Sequence, residues 1–179
     1  MLLMPKKDWQ WQYDYVNDVL SLSLGSELEF LTSYKKKQLI PDACSKMVFD
    51  LEHANFYIEM IDRLQNVLTI TEAGLVQIAL NATAAHFMLK PQMPKSWFFE
   101  ASNTCVYSEH GKVFELKLEH NNERVLVLAI ERGLQATLVM ILSPESVLSS
   151  GKVLRQFDTI KVMHDRLRPL KSKRQIAAA

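Results

Sequence analysis

The chain has 179 residues, of which 48% are apolar and 23% charged, with a formal net charge of +1. That length and apolar content suffice to bury a sizeable core in one ordinary domain or two small ones. The near-zero charge argues against a chain that wraps polyanions over its whole surface, and five glycines with neither a GxGxxG nor a GxxxxGK pattern leave little material for a phosphate-cradling loop.

Met1-Leu2-Leu3-Met4 followed by Pro5-Lys6-Lys7-Asp8 is too short an apolar run for a signal-peptide core. No stretch approaches the roughly 20 uninterrupted apolar residues of a membrane helix. Trp9, Trp11, Tyr13 and Tyr15 then recur with period two, which marks a half-buried strand with one aromatic face. Asn17-Asp18 is a turn signal. Leu20, Leu22 and Leu24 alternate as a second strand, Gly25-Ser26 reverses the chain, and Leu28 and Phe30 alternate with Glu27 and Glu29 as a third. These make a three-stranded antiparallel meander.

Lys35-Lys36-Lys37 and Pro41-Asp42 form a polar connection. Asp50 is a helix N-cap, and Leu51, Ala54, Ile58, Ile61 and Leu64 mark one face of the amphipathic helix it opens. Thr69-Ile70-Thr71-Glu72 has capping-box spacing and starts a second helix. Leu75, Ile78, Ala79 and Ala82 form one stripe on it, and Val76, Leu80, Thr83 and Phe87 another, so this helix is buried on most sides. Pro91 ends it.

Strands are expected over 104–108, 113–119, 124–130 and 134–142, with Glu131-Arg132-Gly133 as a tight reversal. Val125, Val127 and Ala129 face one way and Leu126, Leu128 and Ile130 the other, so this strand is covered on both sides. Thr159–Met163 reads as a strand, with Ile160 and Val162 on one face, or as a short helix, the strand being favoured. The fold class is therefore α+β: an N-terminal antiparallel meander packed with two helices over 1–98, then a small antiparallel β-barrel-like domain over 99–170. Residues 171–179 read as a disordered basic tail.

The run Leu89-Lys90-Pro91-Gln92-Met93-Pro94-Lys95-Ser96-Trp97 joins the two halves. Pro91 biases Lys90 out of the helical region and Pro94 does the same to Met93, so the backbone is stiff for a loop. Lys90 and Lys95 stand on it beside Met93 and Trp97, a combination common at protein interfaces. Two readings fit: an inter-domain connector or a binding loop.

Little else carries chemistry. Cys44 and Cys105 form no CxxC pair and no zinc spacing, and read as free, partly buried thiols in a reducing cytosol. His53, His86, His110, His120 and His164 show no HExxH pattern and no i, i+4 pair. No GxSxG elbow occurs. Catalysis is not expected, and no metal or cofactor is implied. A nucleic-acid-binding small-barrel module is the alternative: Trp9, Trp11 and Tyr13 would be its stacking platform, with Lys35–Lys37 and Lys171, Lys173 and Arg174 as basic clusters. Acidic residues such as Glu52, Glu59 and Asp62 balance those clusters.

The run 89–97 resembles the bacterial cell-division family ZapC, the Z-ring-associated protein C family. Trp9, Trp11, Tyr13 and Asp14 with Leu22 and Leu24 resemble it too, as do Pro41-Asp42-Ala43, Asn81-Ala82, and Asp165-Arg166-Leu167 with Pro169. The resemblance covers about residues 5 to 170. It implies a non-enzymatic, cofactor-free cytoplasmic protein recruited to the division site at mid-cell. Such a protein binds filaments of the tubulin-like GTPase FtsZ, promotes their lateral bundling, stabilises the Z ring and tends to lower GTP turnover. It also implies an N-terminal α/β part and a C-terminal β-barrel-like part, with no nucleic-acid partner and no membrane insertion. Since FtsZ proteins are generally acidic, Lys90 and Lys95 are the expected contacts. Met93 and Trp97 would supply an apolar centre, though Trp97 has a competing reading as the anchor of the loop. Leu22 is a secondary candidate, with core packing as its other reading. Residues 101–123 match the family poorly. Ile176-Ala177-Ala178-Ala179 reads as plain disorder, an expression-vector remnant, or a signal for an ATP-dependent protease.

Overall fold

The computed structural model describes residues 2–170 and 174–176. The N-terminal alternation builds β1 (Gln10–Asp14), β2 (Val19–Ser23) and β3 (Glu29–Leu31), paired antiparallel in sequence order. Asp18 turns the first hairpin at φ 57°, a left-handed conformation that short polar side chains tolerate. A two-residue strand that the alternation does not reveal, β4 (Met47–Val48), pairs with the other side of β1, so the order is β3-β2-β1-β4. Trp9, Trp11 and Tyr13 are only 1%, 0% and 7% exposed. Their face is core packing, and it offers no platform on which bases could stack.

Asp50 caps α1 (Leu51–Val67), accepting the His53 N–H. A short strand follows, β5 (Leu68–Thr69), and then α2 (Glu72–Met88). The cap of α2 is Thr71, whose hydroxyl accepts the Gly74 N–H at 3.1 Å. The capping box expected from Thr69 lies two residues too early, because Thr69 belongs to β5. Gly74 is needed here: a Cβ would sit 2.8 Å from Cγ1 of Ile70. Both stripes of α2 contribute to the core, with Leu75, Ile78, Ala79, Leu80, Ala82 and Thr83 all buried.

The second half forms β6 (Val113–Lys117), β7 (Arg124–Arg132), β8 (Ala136–Ile141), β11 (Thr159–Met163) and β12 (Arg168–Pro169), with a hairpin of β9 (Glu145–Val147) and β10 (Val153–Arg155) inserted before β11. The antiparallel order is β11-β8-β7-β6-β12. The ladder is open among the described residues, since β11 and β12 are its two edges. The expected strand over 104–108 is absent. β12 pairs with the outer side of β6, and residue 108 is instead held through its hydroxyl, Ser108 Oγ to Thr137 Oγ1. β7 also runs through Glu131 and Arg132, so the reversal falls after them, where Gly133 N–H meets Ala136 O at 2.8 Å.

The two faces of β7 go to different cores. Leu128 and Ile130 join Val113, Leu138 and Met140 in one apolar cluster with the helices and the N-terminal sheet. Val125, Val127 and Ala129 join Val139, Ile141, Leu148, Leu154, Ile160 and Val162 in a second cluster. The first core therefore crosses the middle of the chain. The fold is α+β, as its pattern predicts.

Cys44 is half-buried, whereas Cys105 is exposed; both are free. In the tail, β13 (Arg174–Gln175) pairs parallel with β5, and Ile176 is buried against the first core. That part of the tail is ordered by pairing. The rest, 171–173 and 177–179, lies outside the described residues, and with it the expectation that a protease reads the terminal alanines.

Candidate partner-binding site

The run 89–97 is stitched to both halves. On the first, Leu89 bridges Leu39, Ile40 N–H donates to Met88 O at 2.9 Å, and Lys90 N–H donates to Gln38 O at 2.9 Å. On the second, the Gln92 amide donates to Thr159 Oγ1 at 2.7 Å, Lys95 N–H donates to Lys161 O at 2.8 Å, and the Ser96 hydroxyl accepts Met163 N–H at 2.8 Å. The prolines leave two fewer N–H groups to satisfy. The segment is a connector and an exposed loop at once.

It forms one wall of a groove of about 490 Å³ at the joint. Lys90 and Lys95 line it from the loop, Lys37 from the turn after β3, and Lys152 from the β9–β10 hairpin. Trp97, Phe98, Leu148, Leu154 and Ile160 supply apolar surface between them. No carboxylate is among the described residues that line it. Lys90 donates from its ammonium to Lys37 O at 3.2 Å, a contact that leaves its charge uncompensated. Like charges around a concave, partly apolar surface raise the local positive potential and favour an anionic ligand.

Trp97 is 63% exposed and Met93 79% exposed. Trp97 packs against the neighbouring Phe98 ring at 5.4 Å. It does not anchor the loop; buried Ser96 and Phe99 do that. Leu22 is 0% exposed. It sits in the first core opposite Trp11 on one side and Phe30 on the other, so it presents no surface to a partner and is not brought together with the lysines. Sequence reasoning missed Lys37 and Lys152. The Lys35–Lys37 run is conspicuous, but only the Leu39–Leu89 bridge places it beside Lys90, and Lys152 lies in a turn whose pattern marks nothing but a reversal.

His53, His86 and His110 are engaged in packing and local bonds. His53 Nδ1 accepts Trp11 Nε1–H at 3.2 Å and Asp50 N–H at 3.3 Å. His86 bonds Ile130 O at 3.2 Å and stacks on Phe56 at 4.4 Å. Burial holds both imidazoles below the usual histidine value. His110 lies 2.9 Å from Glu59, and this bond, more than the nearby Arg63, holds the Glu59 carboxyl below its usual range. No group of His, Cys, Asp and Glu suited to a metal ion occurs among the described residues. Among them, no helix is long and apolar enough to cross a membrane.

These features define an α+β protein with two cores, one shared by its halves, and a lysine-lined groove at their joint. Residues 2–90 match the family model described as cell-division protein ZapC, N-terminal, and residues 91–173 match its C-terminal counterpart. A cell division protein ZapC of Shewanella oneidensis is 62% identical over 179 residues, covering 100% of both chains. One of Shewanella woodyi is 63% identical over 100% of this chain and 98% of its own, and one of Aeromonas hydrophila is 35% identical over 94% and 93%. The chain belongs to the ZapC family of cell-division proteins.

Proposed function

We propose that this protein is a non-enzymatic, cytoplasmic cross-linker that binds FtsZ filaments at the mid-cell division site, bundles them laterally and so stabilises the Z ring. Lys90 and Lys95 make the charged contact, with Trp97 and Met93 as its apolar centre. The observation that supports this reading is the groove: four lysines around an exposed indole, with no lining carboxylate among the described residues. A proline-stiffened loop fastened at both ends loses little backbone entropy on binding. Bundling requires each particle to reach two filaments, through two surfaces on a monomer or through a dimer.

The test is charge reversal, Lys90→Asp with Lys95→Asp. Co-sedimentation with assembled FtsZ, light scattering of the assembling filaments and far-UV circular dichroism are measured together. The expected result is lost pelleting and lost scattering with an unchanged dichroism spectrum. Unchanged pelleting overturns the lysine contact. Wild-type binding should also weaken as salt rises.

A further inference from the structure

β11 pairs with β8 on one side only among the described residues. An edge strand presents unpaired N–H and C=O groups, and here the turn Lys95–Trp97 meets them. Lys95 N–H goes to Lys161 O at 2.8 Å, and the Ser96 hydroxyl, standing where a strand carbonyl would, takes Met163 N–H at 2.8 Å. The carbonyl of Ser96 is held in turn by Arg166 Nε at 3.2 Å, across 70 positions of sequence. Asp165 Oδ1 lies 2.7 Å from Arg166 Nη1 and orients the guanidinium. Leu167, the next residue, is fully buried in the second core, which fixes the base of this arm. Ser96 is thus a buried residue between two exposed ones.

We infer that Ser96 and Arg166 are positioning residues for the partner-binding face: they seat the Lys95–Trp97 turn on the edge of β11 and hold the ammonium and the indole as a fixed pair. The inference rests on the groove being the filament-binding surface. It also gives Asp165-Arg166-Leu167 a task. Arginine suits that task because its planar fork reaches a carbonyl from Nε and a carboxylate from Nη1 in one fixed geometry, whereas a lysine offers a single point donor on a flexible stem. Released from Ser96, the turn and its two side chains would have to be ordered by the partner, which weakens binding without removing any contact.

The test uses the full chain labelled with 5-fluorotryptophan, its Trp97 fluorine signal assigned with Trp97→Phe. Ser96→Ala and Arg166→Ala should shift and narrow the Trp97 signal while the buried Trp9 and Trp11 signals stay in place, and Arg166→Lys should restore only part of the order. Pelleting with FtsZ should weaken roughly 5-fold for Ser96→Ala, with no further loss when Lys95→Ala and Trp97→Ala are already present. An unmoved Trp97 signal overturns the positioning role. An equal loss in both backgrounds overturns it too, since that is what a general structural defect produces. Failure of the wild type to pellet overturns the binding reading and with it the partner half of this inference, while the fluorine signal still decides the seating of the turn.

Discussion

Tyr34 donates its phenolic hydroxyl to the carbonyl of Phe157 at 2.8 Å, joining positions 123 apart in sequence. Tyr34 is buried, and burial pushes its phenol far above the usual tyrosine value, which favours the protonated, donating hydroxyl. Phe157 itself holds a left-handed backbone at φ 73°, a conformation unusual for a bulky residue and kept only where its surroundings demand it. The bond ties the first half to the turn before β11.

Tyr34→Phe should therefore destabilise by about 1–3 kcal/mol, because it leaves a buried carbonyl without its donor while the ring still fills its space. Urea unfolding at neutral pH measures this. A variant as stable as the wild type would mean that the halves do not depend on this bond.

Acid should loosen the helical layer. His53 Nδ1 accepts from both the Trp11 indole and the Asp50 N–H, and a protonated ring nitrogen cannot accept. Burial depresses both His53 and His86 below the usual histidine value, against the pull of Asp50 and Glu52 on the first and Glu131 on the second. The unfolded chain then takes up protons first, so the stability these residues contribute is complete above about pH 6.5 and is lost as pH falls below it towards their folded values. Melting temperature measured from about pH 8 down to about pH 5 should fall on the acid side. His53→Asn keeps an acceptor that does not titrate, so its acid limb should be shallower than that of the wild type, and equal slopes would contradict the role given to His53.

Leu22→Ala should cost about 2–5 kcal/mol by opening a cavity beside Trp11. Its effect on FtsZ pelleting should follow the folded fraction and disappear at a temperature where the variant is fully folded. A binding defect that persists in the folded variant would return Leu22 to the partner surface.

Lys152→Asp should weaken pelleting with FtsZ and reduce its salt dependence, although Lys152 lies far in sequence from Lys90 and Lys95. Lys161 lies within β11 and does not line the groove, so Lys161→Asp serves as the control. Equal effects of the two reversals would mean that general surface charge is at work.

Local pattern made much of this fold legible. Alternation placed β1, β2 and β3, Asp50 placed the start of α1, and the two-sided apolar run of β7 showed that it is covered on both faces. The errors arose where a tertiary partner decides. Residues 104–108 have strand-like composition, but the strand beside β6 is β12, which comes from the far end of the chain. Thr69 has cap chemistry, but β5 claims it, so Thr71 caps α2. Of the groove wall, the run 89–97 stands out because prolines punctuate it; Lys90 and Lys95 line the groove, whereas Met93 is exposed outside its lining. Trp97 left two readings open, because exposure is not written in local sequence. Lys37 reaches the groove through the Leu39–Leu89 bridge and Lys152 through the tertiary packing of its hairpin, and no periodicity carries those.

The core shared between the helices and one face of β7 has a mechanical consequence. Two halves that share one interior do not pivot independently, because opening them would expose Leu128, Ile130 and Met140 to water. If the cross-linker grips two filaments with surfaces on its two halves, their separation is built into the molecule. Bundles made this way should show one sharp inter-filament distance in electron micrographs, constant as the protein-to-filament ratio rises, whereas a flexibly hinged cross-linker would give a broad range.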